Sequence, residues 1–318
     1  MYYIIVNPSS KSGRGMQIWK DLEQVFLERE IAYKVMVTNH IGHVKEITQE
    51  ITKADEIINI IILGGDGTIN EALQGIRDFS KVRIGYIPTG SSNDLARAMK
   101  LSKNPREILE KILSGTGSHM VDLGKLTYVT QSGDHSRLHK SADSVERFFV
   151  VSSGIGFDAA VCEEALSSHI KNLFNKLKLG KLTYLGIALK QLFTAKAVSC
   201  DIYVDDKPPI HLKRFLFVAS MIHPYEGGGF KFGPDADATD GLMDICVIGG
   251  LPKLLILLAL PTAYFGKHYI FPKIYFYRAT KIEIKTSVPL WVHTDGEVYL
   301  KSNHIYLSCE QQKVHFLA

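Results

Sequence analysis

Short apolar runs alternate with stretches of helical periodicity over the first 120 or so residues. The runs "YYIIV", "AYKVMVT", "INIIIL" and "VRIGYIP" are mostly apolar at consecutive positions, which is typical of strands buried on both faces. Helices are predicted near 16 to 29, near 42 to 53, from 69 onward, near 92 to 99 and at 105 to 114. This alternation predicts a parallel α/β sheet, whose ligands bind beyond the carboxyl ends of the strands.

After about residue 120 the pattern changes to strand-like pieces with few helices between them, from "HMVDLGKL" to "NHIYLSC". This texture predicts a second, mostly β domain of the sandwich type, with a hairpin loop at 129 to 144. The expected fold class is therefore α/β plus β, with a parallel α/β domain at 1–125 and a β-sandwich domain at 126–302. The sandwich domain carries a helical insertion at 166–197, and the closing segment 303–318 is expected to return to the first domain.

The third apolar run ends in a glycine-rich loop, "GGDGT" at 64 to 68. Thr68 and Glu71 match a T-x-x-E capping box, which predicts that a helix begins immediately after Gly67. Glycines before a helix leave backbone N–H groups uncovered, and with the helix dipole they form an anion site suited to phosphate. A tight turn between strand and helix, without a ligand, is the alternative for these five residues alone.

Two further strand ends carry similar loops. "PTGSSNDLAR" at 88 to 97 follows the fourth run, with a hydroxyl cap predicted at Ser91 or Ser92, and "NPSSKSGRG" at 7 to 15 follows the first. One polyphosphate would satisfy these three glycine loops (7–15, 64–68 and 88–97), because parallel strands end at one edge of the sheet. The chain contains no P-loop motif and no HRD or DFG, which excludes a P-loop enzyme and a protein kinase. "GIGFDA" at 154 to 159 is a weak match to a dinucleotide fingerprint and is interpreted as a domain-joining turn.

Four segments in this order and spacing, "GGDGT", "PTGSSNDLAR", "VDLGK" and "GIGFDAAV", resemble the diacylglycerol kinase catalytic-domain family of lipid kinases. Within that family the chain is most similar to the soluble bacterial diacylglycerol kinases, and the resemblance spans essentially the whole chain. It implies an ATP- and Mg²⁺-dependent kinase that transfers the γ-phosphoryl group to a lipid hydroxyl, with diacylglycerol as the expected acceptor. The alternatives are a NAD kinase-like enzyme, which shares GGDGT, and a catalytically silent lipid-binding regulatory module of the same fold.

Phosphoryl transfer needs a divalent metal and a base that takes the hydroxyl proton. Asp66, Asp94 and Asp122 are expected to border the glycine loops, and for each an ordinary cap or turn aspartate is the alternative. "GPDADATDGLMDI" at 233 to 245 crowds further carboxylates together with a spacing that excludes an EF-hand. "HTDGEVYL" at 293 to 300 predicts a type I′ hairpin at its Asp-Gly pair, and such a turn is compatible with a catalytic site.

The resemblance also implies the residues of the site. Glu297 is the expected general base, with Asp295 as a metal-side group or alternate base. A structural Mg²⁺ would be held by the Asp240 side chain and the carbonyls of Asp237 and Leu242, with a plain acidic turn as the alternative. Asp66, Asp94 and Asp122 would reach Mg²⁺ partly through water. The nucleotide-binding residues expected from the resemblance are Asn7, Pro8, Ser9, Ser10, Arg14, Thr38, Gly64, Gly65, Asp66, Gly67, Thr68, Glu71, Thr89, Gly90, Ser91 and Asn93.

Charge and composition narrow the expected partners and location. A formal net charge of +4 is too small to indicate a nucleic-acid partner, and none is expected. The four scattered cysteines without a CxxC pair fit a reducing compartment, and neither a signal peptide nor a membrane span is predicted. The lysine-rich stretch 170–196 predicts contact with an anionic membrane surface, or alternatively a solvated helical face. We therefore expect a cytoplasmic protein at the inner face of the membrane, and a homodimer through an exposed sheet edge is a further prediction.

Overall fold

The computed structural model describes residues 1–129, 145–167, 180–195 and 198–317. The strands in these ranges are β1 (Tyr2–Val6), β2 (Tyr33–Val37), β3 (Ile58–Gly64), β4 (Val82–Pro88), β5 (Ser118–Tyr128), β6 (Val145–Phe149), β7 (Ser152–Gly156), β8 (Val198–Val204), β9 (Ile210–Met221), β10 (Met243–Gly249), β11 (Ile274–Ala279), β12 (Lys281–Thr294) and β13 (Glu297–Leu317). The helices are α1 (Ser10–Gly13), α2 (Gly15–Glu28), α3 (His43–Ile51), α4 (Asp66–Leu73), α5 (Asp94–Ala98), α6 (Pro105–Ser114), α7 (Phe157–Ser167), α8 (Gly180–Thr194) and α9 (Lys253–Ala263), with 3₁₀ helices at Phe79–Lys81 and His268–Ile270.

The N-terminal strands form a parallel sheet in the order β4-β3-β1-β2. Successive side chains of a strand point to opposite faces, and β3 uses both faces for burial. Ile60 and Ile62 pack in one core with α3 and α4, while Ile61 and Leu63 pack in a second core with α2 and α6. All four side chains are completely buried. The predicted parallel α/β part of the fold is confirmed.

The C-terminal strands are antiparallel, in the order β11-β10-β9-β7-β12-β13, and β8 pairs with both β9 and β12. The long strand β13 joins the two parts of the chain. Glu297 to Ser308 of β13 pair with β12, and Ile305 to Leu317 pair with β5. On its other edge, His315 to Leu317 pair in parallel with β4. The α/β plus β fold class is confirmed, whereas the residue boundaries of the two domains stay a prediction.

Some elements differ from the sequence-based expectations. Helix α4 begins at Asp66, three residues earlier than predicted, and "RFFVVSSG" is divided between β6 and β7. Strand β11 and helix α9 were not predicted. The apolar run "LLILLALP" at 254 to 261, which is too short for a membrane span, lies within α9. Pro261 lies in the exposed last turns of α9, where it removes one i→i−4 hydrogen bond close to the end of the helix. The hairpin loop predicted at 129 to 144 falls, apart from its first residue, outside the described residues.

Among the described helices, none combines the length and the apolar character needed to cross a lipid bilayer.

Candidate active site

The three glycine loops meet at the carboxyl edge of the parallel sheet. The backbone N–H groups of Asn7 and Thr89 donate to the carbonyls of Leu63 and Gly64 at 3.0 and 2.7 Å, so neighbouring strand ends stay in register. The Thr89 hydroxyl donates to Ser10 Oγ at 2.7 Å, across the gap between the first and third loops. These bonds hold the loops together before any ligand is bound.

Close backbone contacts explain two of the glycines in these loops. A Cβ atom on Gly90 would lie 2.6 Å from Gly65 Cα, and a Cβ on Gly65 would lie 3.1 Å from Gly90 Cα. A larger residue at either position would separate the second loop from the third. The exposed hydroxyls of Ser9 and Ser91 lie on the same loops.

Helix α4 begins inside the GGDGT loop. Gly65 is its N-cap, and the Thr68 hydroxyl, at the third helical position, accepts a hydrogen bond from Gly65 N–H at 3.3 Å. The predicted capping box that starts from Thr68 and includes Glu71 is therefore wrong, because Thr68 closes the box instead of opening it. Asn7 Nδ2 also donates to Thr68 Oγ1, at 3.4 Å. The N–H groups of the first turn of α4 thus face the space between the loops.

Four further residues predicted to bind the nucleotide are Thr38, Glu71, Pro8 and Arg14. Thr38 N–H donates to Val6 O at 2.9 Å, which keeps the end of β2 beside that of β1. Glu71 Oε1 is buried without a hydrogen-bond partner among the described residues, and burial raises the pKa of this carboxyl. Pro8 is half-buried in the first loop and Arg14 is exposed at the start of α2.

The cap predicted at Ser91 or Ser92 is wrong. Asn93 occupies the N-cap of α5, with a left-handed backbone at φ 51°. Its side chain folds back on the loop, accepting from Gly90 N at 3.0 Å and donating to Gly90 O at 2.9 Å. Asn93 therefore shapes the third loop, while the two serine hydroxyls remain exposed.

Two aspartates lie beside the loops, and the side chain of Asp66 binds the backbone of Asp94. Asp66 Oδ2 accepts from Asp94 N–H at 2.8 Å, and Asp66 Oδ1 accepts from the Tyr86 hydroxyl at 3.3 Å. Burial and the nearby Asp94 carboxylate raise the pKa of Asp66 to about 7. Asp94 is paired with Arg97 at 2.8 Å and accepts from Gly228 N–H at 2.8 Å, and burial raises its pKa as well. Two buried carboxylates that repel each other fit a divalent cation, whose charge favours their ionised form.

Asp122 does not join this pair. It is completely buried, accepts from Gly241 N–H at 2.7 Å and forms an ion pair with Lys313 at 2.5 Å. The expectation that Asp122 borders the glycine loops is wrong, because β5 carries it to the acidic segment around Asp240 instead. Asp240 itself pairs with Arg278 at 2.6 Å.

In the acidic segment, the side chains of Asp237 and Asp240 bind neighbouring protein groups, and of these two only the Asp240 side chain was expected to hold the metal. Asp237 Oδ1 accepts from Thr239 N–H and hydroxyl, at 3.0 and 2.7 Å, and Asp240 Oδ1 accepts from Leu242 N–H at 2.9 Å. A plain acidic turn, stabilised by its own N–H groups, accounts for these contacts. The Mg²⁺ expected from Asp240, Asp237 and Leu242 stays a prediction.

The "TDGE" segment forms the predicted hairpin. Asp295 and Gly296 have positive φ values of 50° and 81°, as a type I′ turn requires, and Thr294 pairs with Glu297 across it. The Asp295 carboxylate accepts from Val151 N–H at 2.8 Å and Ser152 N–H at 3.0 Å.

Two further donors complete the environment of Asp295. Val150 N–H and Asn70 Nδ2 donate to Asp295 Oδ2 at 3.2 and 2.9 Å. Because backbone N–H groups between β6 and β7 bind this carboxylate, they are not available for strand pairing, which explains the division of "RFFVVSSG". Four donors fill the acceptor capacity of a carboxylate. Burial raises the pKa of Asp295, against these hydrogen bonds, which lower it. Asp295 therefore anchors the hairpin to α4 and to the β6–β7 link.

Glu297 lies directly over the start of α4. A Cβ atom on Gly67 would fall 2.2 Å from Glu297 Oε1, so only glycine leaves room for this carboxylate. The residue predicted as general base is thus beside the GGDGT loop, although it is 230 residues away in the chain. The C-terminal hairpin and the N-terminal loops together form a cleft.

Sequence reasoning did not find the residues that attach the hairpin. Arg147 donates to Asn70 Oδ1 at 3.0 Å and to Thr294 Oγ1 at 3.3 Å, and Gln74 donates to Phe148 O at 2.9 Å. None of them belongs to a motif with its own signal. Their importance follows only from the contact between α4 and β6.

A buried cluster of three titratable groups lies behind the hairpin. His293 Nε2 is 3.1 Å from Asp158 Oδ2 and 3.2 Å from Glu226 Oε1, and all three residues are buried. His293 Nδ1 accepts from Gly296 N–H at 3.2 Å, so Nε2 carries the proton and donates to the two carboxylates. Burial raises the pKa of Asp158. Asp158 belongs to "GIGFDA", which here forms the end of β7 and the start of α7 within the C-terminal part of the chain. The interpretation of this segment as a domain-joining turn is therefore wrong.

The basic stretch 170–196 lies largely outside the residues whose side chains the structure describes. Within it, Lys190 forms an ion pair with Glu164 at 2.6 Å. The predicted membrane contact of this stretch stays a prediction.

Comparison with known proteins gives two family models that match in chain order. The diacylglycerol kinase catalytic domain matches residues 1–126, and the YegS C-terminal NAD kinase beta sandwich-like domain matches residues 150–307. A Bacillus subtilis protein provisionally named as a lipid kinase, YtlR, is 26% identical over 302 residues, covering 93% of each chain. A diacylglycerol kinase of Staphylococcus saprophyticus is 26% identical over 318 residues, covering 97% of this chain and 92% of that one.

Solved structures share the fold. A Bacillus anthracis structure described provisionally as a diacylglycerol kinase has a TM-score of 0.72 at 21% identity, covering 99% of this chain and 96% of that one. An NAD kinase from Archaeoglobus fulgidus, solved with ATP, has a TM-score of 0.53 at 16% identity, covering 100% of this chain and 94% of that one.

Proposed function

Because this chain belongs to the diacylglycerol kinase catalytic-domain family of lipid kinases, we propose that it transfers the γ-phosphoryl group of ATP to a lipid hydroxyl. Diacylglycerol is the proposed acceptor and phosphatidic acid the proposed product. The observation that carries this proposal is the position of Glu297 over Gly67, at the N-terminus of α4. A carboxylate there can take a proton beside a site suited to phosphate.

In this proposal the ATP phosphates lie across the three glycine loops. The uncovered N–H groups of the first turn of α4 and the exposed hydroxyls of Ser9 and Ser91 would bind phosphate oxygens. The Ser10 hydroxyl donates to Asn7 O at 2.7 Å and so shapes the first loop. Asn7 and Thr89 would position the loops through their contacts with Thr68 and Ser10. Little rearrangement is needed, since the loops are already hydrogen-bonded to one another.

Asp66 and Asp94 are the proposed carboxylates for Mg²⁺, because both lie beside the glycine loops and the Asp94 carboxylate, together with burial, raises the pKa of Asp66. Bound Mg²⁺ would neutralise charge on the phosphates during transfer. Arg97 and the N–H of Gly228 hold Asp94 in place, and Tyr86 holds Asp66. These contacts orient the carboxylates toward the loops.

Glu297 is the proposed general base. It would accept the proton of the lipid hydroxyl as that oxygen attacks the γ-phosphorus in line with the leaving oxygen of ADP. Asp295 is a positioning residue in this proposal, because four donors already saturate its carboxylate. The base thus depends on Asp295 for its place beside Gly67.

The acceptor is tested by transfer of label from γ-labelled ATP to a panel of diacylglycerol, sphingoid base, ceramide and NAD. Label in phosphatidic acid, lost when EDTA removes the divalent cation, is the expected result. Label in another lipid would keep the reaction and change the acceptor. Label in NAD alone would support the NAD kinase alternative, and no label anywhere would favour a catalytically silent module.

A further inference from the structure

The segment from α9 to the second 3₁₀ helix presents a row of exposed apolar side chains. Leu254, Leu258 and Phe265 are spaced by four and seven residues, so they lie along one face of the helix and its continuation. Their exposed fractions are 68%, 56% and 68%. Tyr269 and Ile270 adjoin them with exposed fractions of 52% and 68%. We name these five side chains the apolar ridge.

The opposite face of α9 already supplies the contacts that stabilise the fold. Ile256, Ala259 and Ala263 are buried, and the first two pack with Cys246 and Ile248 of β10. The helix is therefore apolar on both sides, although only one side is covered. A surface helix of a soluble protein usually carries charged residues on its outer face, and a contiguous exposed apolar patch marks an interaction site.

Within the segment that carries the ridge, all charges have one sign. Between residues 245 and 282 the chain contains five lysine and arginine residues and no aspartate or glutamate. Lys267 and Lys273 are exposed beside the ridge, and in the ranges that the structure describes neither forms an ion pair with a carboxylate. Lys273 reaches only a backbone oxygen, that of Gly250, at 3.2 Å. The surface therefore suits an anionic partner that also accepts apolar side chains.

The ridge is connected to the candidate active site by aromatic contacts. Tyr264, between α9 and Phe265, lies 3.5 Å from the Cβ position of Gly229, where the Arg97 guanidinium also lies. Arg97 is the partner of Asp94. Tyr264 further contacts Phe230 and Phe265, with ring centroids 6.0 and 5.5 Å apart. The Tyr264 ring and the Arg97 side chain thus lie between the ridge and Asp94.

We propose that the apolar ridge, with Lys267 and Lys273, docks the protein on the surface of an anionic lipid bilayer. Leucine and aromatic side chains flanked by lysines are the residues that enter the interface between headgroups and acyl chains. The five residues of the ridge lie outside the basic stretch 170–196, and Lys253 at the start of α9 donates to Phe193 O near the end of that stretch, at 2.6 Å. The inference rests on the proposed lipid kinase function, because docking through the ridge would bring the cleft to the membrane that contains the acceptor.

The test is cosedimentation with vesicles of pure phosphatidylglycerol, without nucleotide, for the wild type, Leu258→Glu and Leu27→Glu. Leu27 is a matched control, since it is a helical leucine with an exposed fraction of 55% against 56% for Leu258. We expect Leu258→Glu to weaken vesicle binding at least about tenfold, because a carboxylate replaces an apolar side chain that would be buried in the bilayer. Leu27→Glu should bind like the wild type.

A second pair of measurements tests the electrostatic part. Lys267→Glu should weaken binding about tenfold or more, and vesicles of phosphatidylcholine should bind the wild type far more weakly. Equal vesicle binding by Leu258→Glu and Leu27→Glu, with both variants folded by circular dichroism, would overturn the proposal. So would a concentration-dependent dimer of the wild type that Leu258→Glu dissociates without any change in vesicle binding, which would assign the ridge to a second copy of the chain.

Turnover separates this inference from the proposed function. On a short-chain diacylglycerol dissolved as monomers, Leu258→Glu should retain wild-type phosphoryl transfer, since the cleft is untouched. Vesicle binding by a wild type that phosphorylates no lipid would leave the docking surface in place and refute the kinase proposal. Wild-type turnover by Leu258→Glu on vesicles that contain diacylglycerol would refute the docking surface and leave the kinase proposal in place.

Discussion

Gly67 offers the sharpest perturbation of the cleft, because a single methyl group would collide with the proposed base. In Gly67→Ala the new Cβ would lie 2.2 Å from Glu297 Oε1, whereas ordinary van der Waals contact begins at 3.4 Å. The carboxylate must therefore move by about 1.2 Å, the difference between these two distances. A misplacement of about 1 Å at a reacting group lowers the rate by roughly 10²-fold, or about 2.7 kcal/mol in the barrier.

The fold should tolerate this substitution. Gly67 is not among the glycines with positive φ, and alanine favours a helix over glycine by about 1 kcal/mol. We therefore expect an unchanged or higher Tm together with a kcat about 100-fold lower in label transfer from ATP. Gly186→Ala in α8 is the matched control, since nothing lies within 4 Å of its Cβ position, and it should keep wild-type kcat.

The background of the variant identifies the cause of the loss. In a Glu297→Gln protein, Gly67→Ala should lower kcat by much less than 100-fold, because the base that the methyl group displaces is already absent. An additive loss would show that Gly67→Ala acts on the nucleotide instead. If Gly67→Ala alone keeps a kcat within about twofold of the wild type, catalysis does not depend on the position of the Glu297 carboxylate, and the proposal is refuted.

Two further predictions concern buried histidines. Burial lowers the pKa of His268 to about 4, below its unfolded value, so the unfolded chain binds the proton first and stability falls as pH drops from 6.5 toward 4. The free energy of unfolding, measured in urea, should fall between pH 7.5 and pH 5, and this fall should be smaller by up to about 2 kcal/mol in His268→Phe than in the wild type. An equal fall in both proteins would contradict this prediction. His293→Leu removes the donor shared by Asp158 and Glu226, and should cost about 3–5 kcal/mol at pH 7. Adding Glu226→Gln should recover part of that loss, whereas a cost below about 1 kcal/mol for His293→Leu would show that the two carboxylates do not depend on the imidazole.

The parts of the site that the sequence predicts are those coded within one loop. The glycines within 64 to 68 indicate a phosphate loop, because both features that bind phosphate are local. These features are the partial positive charge at the N-terminus of a helix and a backbone that no side chain covers. The Asp-Gly pair predicts the type I′ turn for the same reason, and the turn is present. The parallel half of the fold follows from apolar runs that are buried on both faces.

What the sequence could not predict depends on contacts between distant segments. Asp122 lies one strand after the glycine loops in the chain, yet its partners are Lys313 and Gly241. Asp295 and Glu297 are equivalent acids in the sequence, and only the four donors around Asp295 distinguish the anchor from the proposed base. The start of α4 was misplaced because the hydroxyl of a threonine can either open or close a capping box.

The central claim is that Glu297 acts as base in a cleft between the glycine loops and the TDGE hairpin. The most direct test compares the wild type with Glu297→Gln, measuring label transfer from γ-labelled ATP to diacylglycerol alongside ATP affinity by calorimetry. The account predicts that ATP affinity and Tm stay within about twofold and a few degrees of the wild type, while kcat falls by about 10²–10⁴-fold. A variant that binds ATP normally and still phosphorylates diacylglycerol at the wild-type rate would contradict it.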